Sequence, residues 1–249
     1  MKIELFGQPV MTASEKIVGN EILFRMGCQK GDNAITPKAY MGAMWDDTMP
    51  WFMDATVIGM LIACNTQKVK GTLFLNVCSE TLSAPNLFTA WLKGVRELVV
   101  RRGPGRVAVE IPEQGVSDLD ALRNRLHDIR DAGAMLALDD YPGGDLTYKH
   151  LTLYHWDFVK VCTEACREQG LCVVNEIRSI REARPAATII VERLPRDLIK
   201  QAKLAGANGF QSFDIGLPEP LNMLPFHNQH KPIPSPVSQV GSSYQEMGK

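Results

Sequence analysis

The chain has 249 residues, with 27 Lys and Arg against 28 Asp and Glu, so its formal net charge is −1. Hydrophobic residues make up 45% of it and charged residues 22%, which is ordinary for a globular protein and excludes wholesale disorder. The balanced charge argues against a binder of polymeric nucleic acid, and no apolar run reaches the ~18–20 residues of a membrane span. The length predicts one or two domains.

The N-terminal segment and the cysteines predict a cytoplasmic protein. MKIELFGQPV lacks the long apolar core of a signal peptide. The six cysteines are scattered along the chain, which favours reduced thiols over a disulfide framework. Three of them, Cys162, Cys166 and Cys172, follow a spacing that is not common among zinc sites.

In chain order, the first two predicted elements are strands with no helix between them. Ile3–Val10 and Lys16–Arg25 are apolar-rich and flank the turn-like Thr12–Ser14. The later segments are an apolar helix leading out of the Met-rich stretch 41–60 and ending near Asn65, strand Thr72–Val77, helix Pro85–Arg101, strand Arg106–Ile111, helix Asp118–Asp131, strand Ala134–Leu138, a Gly-rich loop, strand Phe158–Cys162, helix Val173–Ala183, strand Thr188–Glu192, helix Asp197–Leu204 and strand Gly209–Phe213.

This alternation of strands and helices predicts parallel βα units rather than a sandwich. About seven units in such a short chain fit a single (β/α) barrel better than an open sheet, with an irregularity where the first two strands meet. We expect the barrel to occupy residues 1–222. Residues 223–249 are rich in Pro and Ser and are predicted to form an extended or disordered tail.

Polar side chains lie at or near the C-terminal ends of most predicted strands. They are Glu21, Asn76, Glu110, Asp139, Asp140, Lys160, Glu192 and Gln211. In a barrel these positions converge at one mouth, where such folds place their active sites. Clustered carboxylate and amide oxygens suit Mg²⁺ or Mn²⁺. Adjacent aspartates can contact two ions about 3.5–4 Å apart, so the pattern predicts metal-assisted phosphoester hydrolysis.

A series of short motifs carries a family resemblance. The segments are Gln8-Pro9-Val10, Gly19-Asn20-Glu21-Ile22-Leu23-Phe24-Arg25, Leu75-Asn76-Val77, Val109-Glu110-Ile111-Pro112-Glu113, Leu138-Asp139-Asp140-Tyr141-Pro142-Gly143-Gly144, Val159-Lys160-Val161-Cys162, Val191-Glu192-Arg193-Leu194 and Phe210-Gln211-Ser212-Phe213. In this order, with the observed gap between Asp139 and Lys160, they resemble the motifs of bacterial EAL-domain cyclic-di-GMP phosphodiesterases. The resemblance covers roughly residues 1–222.

The resemblance implies a TIM-like (β/α)8 barrel whose first strand runs antiparallel to the others. It also implies hydrolysis of cyclic-di-GMP to linear pGpG with two Mg²⁺ or Mn²⁺ ions. By the same resemblance, Glu21, Asn76, Glu110, Asp139, Asp140 and Glu192 would bind the metals. Lys160 would help to activate the attacking water, and Glu113 would support the loop after Asp140. The nucleotide would be held by Gln8, Arg25 and Gln211.

The chain also departs from the family pattern. The usual Phe-Gly-Thr-Gly loop is Tyr141-Pro142-Gly143-Gly144, an Asp after the lysine is replaced by Cys162, the glycine after Glu192 is Arg193, and the second glutamate of that segment is Pro195. In many members this loop couples dimerisation to catalysis, so a homodimer is expected. The departures keep an alternative open, a weak or inactive barrel that acts as a cyclic-di-GMP sensor or protein adaptor. The Met- and Trp-rich stretch 41–60 is either core packing or a surface for a protein partner.

Overall fold

The structure is a computed structural model and describes residues 3–27, 35–42, 46, 48–64, 66–112, 118–143 and 147–221, with the backbone alone at 147 and 148. Its strands are β1 Ile3–Met11, β2 Ile17–Met26, β3 Thr72–Asn76, β4 Val107–Ile111, β5 Met135–Tyr141, β6 Phe158–Cys162, β7 Thr188–Glu192, β8 Gly209–Gln211 and β9 Glu219–Pro220. Its helices are α1 Pro37–Met41, α2 Met49–Ala63, α3 Ser79–Ser83, α4 Pro85–Arg102, α5 Leu119–Asp131, α6 Thr147–Leu153, α7 Thr163–Glu168, α8 Val173–Ala183 and α9 Ile199–Ala205.

The first eight strands close into a barrel. Strands β2 to β8 are parallel neighbours in chain order, and β1 closes the gap by pairing antiparallel to both β2 and β8. The short β9 adds to β1 at Phe6 and Gly7. The expected (β/α)8 barrel with an antiparallel first strand is therefore confirmed. A tight turn at Thr12, whose N–H donates to the Lys16 carbonyl at 2.8 Å, explains why β1 and β2 need no helix between them.

Inside the barrel, one hydrophobic layer fills the lower part. This floor layer consists of Val10, Phe74, Ala108, Ala137, Phe158 and Ile190, and all but Phe158 are fully buried. The rings of Phe74 and Phe158 pack edge to face with centroids 4.9 Å apart. Gly19 leaves room for Phe74, because a Cβ there would lie 2.6 Å from its ring, and a Cβ at Gly209 would lie 3.2 Å from the Ile190 side chain.

The helices pack around the barrel through their apolar faces. In α4, the buried residues Phe88, Trp91, Val95 and Leu98 follow helical spacing against the larger core. Asp118 caps the N-terminus of α5, and its carboxylate accepts hydrogen bonds from the N–H groups of residues 120 and 121. No helix in the described part of the chain is long and apolar enough to cross a membrane.

The Met- and Trp-rich stretch forms the end of α1 and most of α2. Met41, Met53 and Met60 pack against the core, which supports the core-packing interpretation for these side chains. Residues 43–45 and 47 lie outside the described residues. Phe52 on α2 is 52% exposed. A protein partner for this stretch stays a prediction.

A buried aspartate ties α2 to the loop that follows β3. One Asp54 oxygen accepts hydrogen bonds from the Cys78 N–H at 2.9 Å and the Thr81 hydroxyl at 2.7 Å. Burial raises the pKa of Asp54 to about 6, against the lowering effect of these donors. The contact fixes the chain two residues after Asn76, at the mouth of the barrel.

The predicted elements differ from the observed ones at the end of β5 and in the short helices. Strand β5 continues to Tyr141, which pairs with Val161, but it passes Asp139 and Asp140 through an irregularity in register, and Asp140 has φ +47°. Four short helices, α1, α3, α6 and α7, were not predicted, since each is too short for a clear periodic pattern. The predicted tail 223–249 lies outside the described residues.

The floor layer yields a test with two glycines of opposite outcome. Gly19→Ala should lower the free energy of unfolding by about 1–3 kcal/mol, because the added Cβ would lie 2.3 Å from the Thr72 carbonyl oxygen. Gly59→Ala, on an open face of α2 with no atom within 4 Å, should instead raise it by about 0.5–1 kcal/mol. Urea unfolding of the two variants measures both values, and equal effects would contradict the packing described for the floor layer.

Candidate active site

The polar residues of the mouth form the layer directly above the floor layer. Side chains on one face of a strand recur every second residue, so each floor residue has a mouth residue two positions further toward the top. The pairs are Phe74 and Asn76, Ala108 and Glu110, Ala137 and Asp139, Phe158 and Lys160, Ile190 and Glu192 and, on the antiparallel β1, Val10 and Gln8. Strand register aligns them laterally, because Gln8 pairs with Glu21, Asn76 with Glu110 and Glu192 with Gln211.

Lys160 lies at the centre of this layer. Its ammonium nitrogen is 2.7 Å from Glu110, 2.8 Å from Asp139, 2.8 Å from Glu192 and 3.5 Å from Glu21, measured to the nearest carboxylate oxygen. We call these four acids the carboxylate ring. The lysine side chain is only 1% exposed, so four acids share one buried cation.

Amide side chains hold the part of the ring that belongs to β2. Asn76 donates from Nδ2 to one oxygen of Glu21 at 3.0 Å, and Gln211 donates to the other. Gln211 also donates to the Gln8 side chain at 3.4 Å. Neighbouring strands β1, β3 and β8 therefore fix the orientation of Glu21.

The pKa values of the ring acids are shifted in opposite directions. Burial raises the pKa of Glu110 and Asp139, and it raises the pKa of Glu192 to about 8, although Lys160 opposes the shift in each case. Burial also acts on Glu21, yet Lys160 and the two amide donors hold its pKa below the usual value. The Lys160 pKa rises well above its usual value, because four carboxylates outweigh the effect of its burial. Lys160 therefore stays charged.

The donor set fits hard divalent cations. Both Glu110 oxygens and Asp139 Oδ1 are buried and accept no hydrogen bond within the described residues, so only the ion pair with Lys160 compensates them. Asp139, Asp140 and Glu192 each offer an oxygen within 4.8 Å of the others. All of these donors are oxygens, which is the ligand type that Mg²⁺ and Mn²⁺ prefer.

A cavity of about 590 Å³ opens above the carboxylate ring, within the size range of small-molecule sites. Three predicted nucleotide contacts, Gln8, Arg25 and Gln211, line it together with ring residues. Glu113 lies outside the described residues. Asn76 and Glu110 belong to the site layer but do not line the cavity.

Sequence reasoning missed several residues of the cavity rim. They are Leu23, Glu164, Arg193, Leu194, Pro195, Ser212, Phe213 and Asp214. Most follow directly after β6, β7 or β8, so a rule that includes the first loop residues after each strand would have found them. Phe213 is 71% exposed at the rim.

Two of these rim residues form an ion pair. Arg193 Nη1 contacts a Glu164 oxygen, with 58% and 46% of the two side chains exposed. The backbone of Arg193 has φ +54°, a conformation that costs an L-residue about 1–2 kcal/mol. An ion pair at such exposure contributes only about 0–1 kcal/mol, so the pair does not explain why this conformation is kept.

The comparison with protein families decides the assignment. The family model described as "EAL domain" matches residues 2–171. The chain belongs to the EAL-domain family. A comparison with curated proteins finds no match.

Solved structures of EAL proteins share this barrel. The PaMucR phosphodiesterase in complex with c-di-GMP is 17% identical, with a TM-score of 0.72 over 88% of this chain and 92% of that one. BlrP1 of Klebsiella pneumoniae, in a manganese and cyclic-di-GMP complex, is 20% identical, with a TM-score of 0.69 over 88% of this chain and 56% of that one. An EAL-domain protein of Listeria monocytogenes EGD-e is 17% identical, with a TM-score of 0.66, and the coverage is 88% and 90%.

The raised pKa of Glu192 predicts how stability depends on pH in the presence of a chelator. Because its pKa of about 8 in the folded protein lies above the ~4.3 of an unfolded chain, the stability it contributes is complete below about pH 4 and is lost as pH rises through 8. Compared with Glu192→Gln, the wild type should therefore lose unfolding free energy between pH 6 and pH 9. Urea midpoints at both pH values measure this difference.

Added Mg²⁺ should restore more stability at pH 9 than at pH 6, because cations bind the deprotonated carboxylates. Glu97→Gln, in an exposed pair with Arg101, is the control and should show no such pH dependence relative to the wild type. If the wild type and Glu192→Gln differ by the same amount at both pH values, the assignment of the shift to Glu192 is wrong.

Proposed function

We propose that the protein is a metal-dependent phosphodiesterase that hydrolyses cyclic-di-GMP to linear pGpG. The observation that carries the proposal is the buried carboxylate ring with Lys160 at its centre, which lies at the bottom of a cavity that Arg25 also lines. Membership of the EAL-domain family supports it, as do neighbouring structures described as complexes with cyclic-di-GMP.

Two Mg²⁺ or Mn²⁺ ions are the proposed cofactors. Their ligands would be Glu21, Asn76, Glu110, Asp139, Asp140 and Glu192. When bound, such ions lower the pKa of a coordinated water and neutralise charge that develops on a phosphodiester. The excess of buried carboxylates over the single lysine supports cation binding, since the surplus negative charge is otherwise uncompensated.

The protein's own groups would position the attacking water. The Lys160 ammonium has three N–H donors and lies within 2.8 Å of Glu110, Asp139 and Glu192, so it would donate to a water or a phosphate oxygen in place of one of these carboxylates. Glu192, whose carboxylate lies 2.8 Å from the Lys160 ammonium, would complete the site that holds the attacking water. Both side chains are buried, so they would reach the reaction with little rearrangement.

The nucleotide would be held by residues of the same cavity. Arg25 supplies a guanidinium that can pair with a phosphate, and Gln8 and Gln211 offer amide groups beside Glu21. The proposed support of the loop after Asp140 by Glu113, the homodimer and the cytoplasmic location stay predictions.

The direct test is to incubate the purified protein with cyclic-di-GMP and Mg²⁺ or Mn²⁺ and to measure pGpG by chromatography. Glu21→Gln should lower turnover by at least about 100-fold while the protein stays folded, because the variant loses one carboxylate ligand but keeps the side-chain shape. Glu97→Gln, on the outer surface of α4, is the matched control and should keep full activity.

Unchanged turnover in Glu21→Gln would contradict the proposed site. The outcome in which the wild type binds cyclic-di-GMP but forms no pGpG with either metal would instead support the alternative of a sensor. Isothermal titration calorimetry with the same samples distinguishes these outcomes, because it measures binding without turnover.

Ca²⁺ should support nucleotide binding but not turnover. Ca²⁺ takes oxygen ligands at about 2.3–2.6 Å, whereas Mg²⁺ holds octahedral geometry at about 2.0–2.1 Å. A BlrP1 structure is described as a calcium and cyclic-di-GMP complex, which supports the binding half of this expectation. Measuring affinity and pGpG formation in Ca²⁺ alone tests it, and full activity in Ca²⁺ would contradict it.

A further inference from the structure

The ion pair between Arg193 and Glu164 lies where a ligand in the cavity would meet the rim. Both side chains line the cavity, on the loop after β7 and on the first turn of α7 respectively. Arg193 directly follows Glu192 of the carboxylate ring, so its position is tied to the acid that closes that side of the site.

The peptide group that joins Glu192 to Arg193 is held by two hydrogen bonds. Its N–H donates to the Gln211 carbonyl at 2.8 Å, and the carbonyl of Glu192 accepts from the Thr163 hydroxyl at 2.7 Å. Beyond this peptide group, Arg193 has φ +54°, a left-handed conformation in which glycine would be free of strain. A bulky cationic residue at this position therefore persists against its backbone preference, which points to a role for its side chain.

The side chain itself is free to exchange partners. Arg193 and Glu164 are 58% and 46% exposed, and an ion pair at that exposure is weak because water and salt screen it. A guanidinium binds phosphate through two parallel hydrogen bonds, which are stronger than a solvated contact with a carboxylate. A phosphodiester in the cavity would therefore compete with Glu164 for Arg193.

We propose that Arg193 is a specificity-determining residue that leaves Glu164 on ligand binding and contacts a phosphate of the cyclic dinucleotide. Glu164 acts as the competitor that holds the guanidinium at the rim in the free protein. The inference rests on the proposed function, because it takes the ligand to be an anionic cyclic dinucleotide. It adds a second cationic contact to Arg25 on the wall of the same cavity.

Two variants separate this role from a structural one. Arg193→Gly removes the guanidinium and relieves the backbone strain, so it should weaken cyclic-di-GMP binding by about 10-fold while the unfolding temperature stays equal or rises. Glu164→Gln removes the competitor, so it should tighten binding by a few fold. A purely structural ion pair would give a different pattern, because breaking it from either side would lower stability, and Glu164→Gln would then weaken binding rather than tighten it.

The experiment is calorimetric titration of the full chain with cyclic-di-GMP in Ca²⁺, combined with thermal unfolding of each variant. Arg196→Ala is the matched control, because Arg196 forms an ion pair with Glu15 in which both side chains are 57% exposed, at 3.1 Å, and does not line the cavity. Its affinity should equal that of the wild type. Raising the salt concentration should weaken binding to the wild type more than to Arg193→Gly, as expected when one phosphate contact is missing.

Equal affinity of Arg193→Gly and wild type would overturn the inference, and so would weaker binding of Glu164→Gln. In both cases the proposed function would stand, since the wild type still binds the nucleotide. If the wild type shows no binding in Ca²⁺, Mg²⁺ or Mn²⁺, the proposed function fails and the inference fails with it.

Discussion

The site depends on one buried electrostatic arrangement, the ammonium of Lys160 among four carboxylates. Burying this many acids around a single cation is costly, because desolvation of each charge is only partly repaid by its partner. The strand pairing of the barrel holds these acids together despite that cost. Each acid of the ring lies on a different strand, and the backbone hydrogen bonds between strands fix its position. Burial is the main cause of the raised pKa values of Glu110, Asp139 and Glu192, and the surplus of negative charge around one cation adds to the rise. The surplus is also what makes this layer suitable for divalent cations.

The two-residue repeat of side chains along each strand links the packing of the barrel to its polar site. Three acids of the carboxylate ring, Glu110, Asp139 and Glu192, each stand two residues after a floor-layer residue on the same strand, so a side chain that shifts the floor layer also shifts the ring. Phe74 and Phe158 fill the floor from two strands, and Gly19 gives them room on a third. Glu21 stands two residues after that glycine. Packing below the site therefore sets where the acids point above it.

Much of this could be predicted from the sequence, because barrel strands end in polar residues that converge at one mouth. Glu110 and Glu192 end apolar runs and were predicted at the site for that reason. The number of acids within reach of Lys160 could not be predicted, since it depends on the register between strands. Arg193 was noted only as a replaced glycine, because the sequence carries no signal of backbone conformation. Motif order predicted the antiparallel first strand, which periodicity alone left open.

The exposed fractions of the polar residues divide the site into two parts with different physical freedom. Lys160 is 1% exposed and Glu110 is fully buried, so a substitution in the ring leaves an unpaired charge in a dry environment. Arg193 and Glu164 are about half exposed, and water replaces whatever contact is lost there. The ring therefore tolerates little change, whereas the rim can change at small cost to folding. The replacement of a family glycine by Arg193 lies in the tolerant part, next to a ring acid that is kept. Ligand preference can thus vary at the rim while the buried acids remain in place.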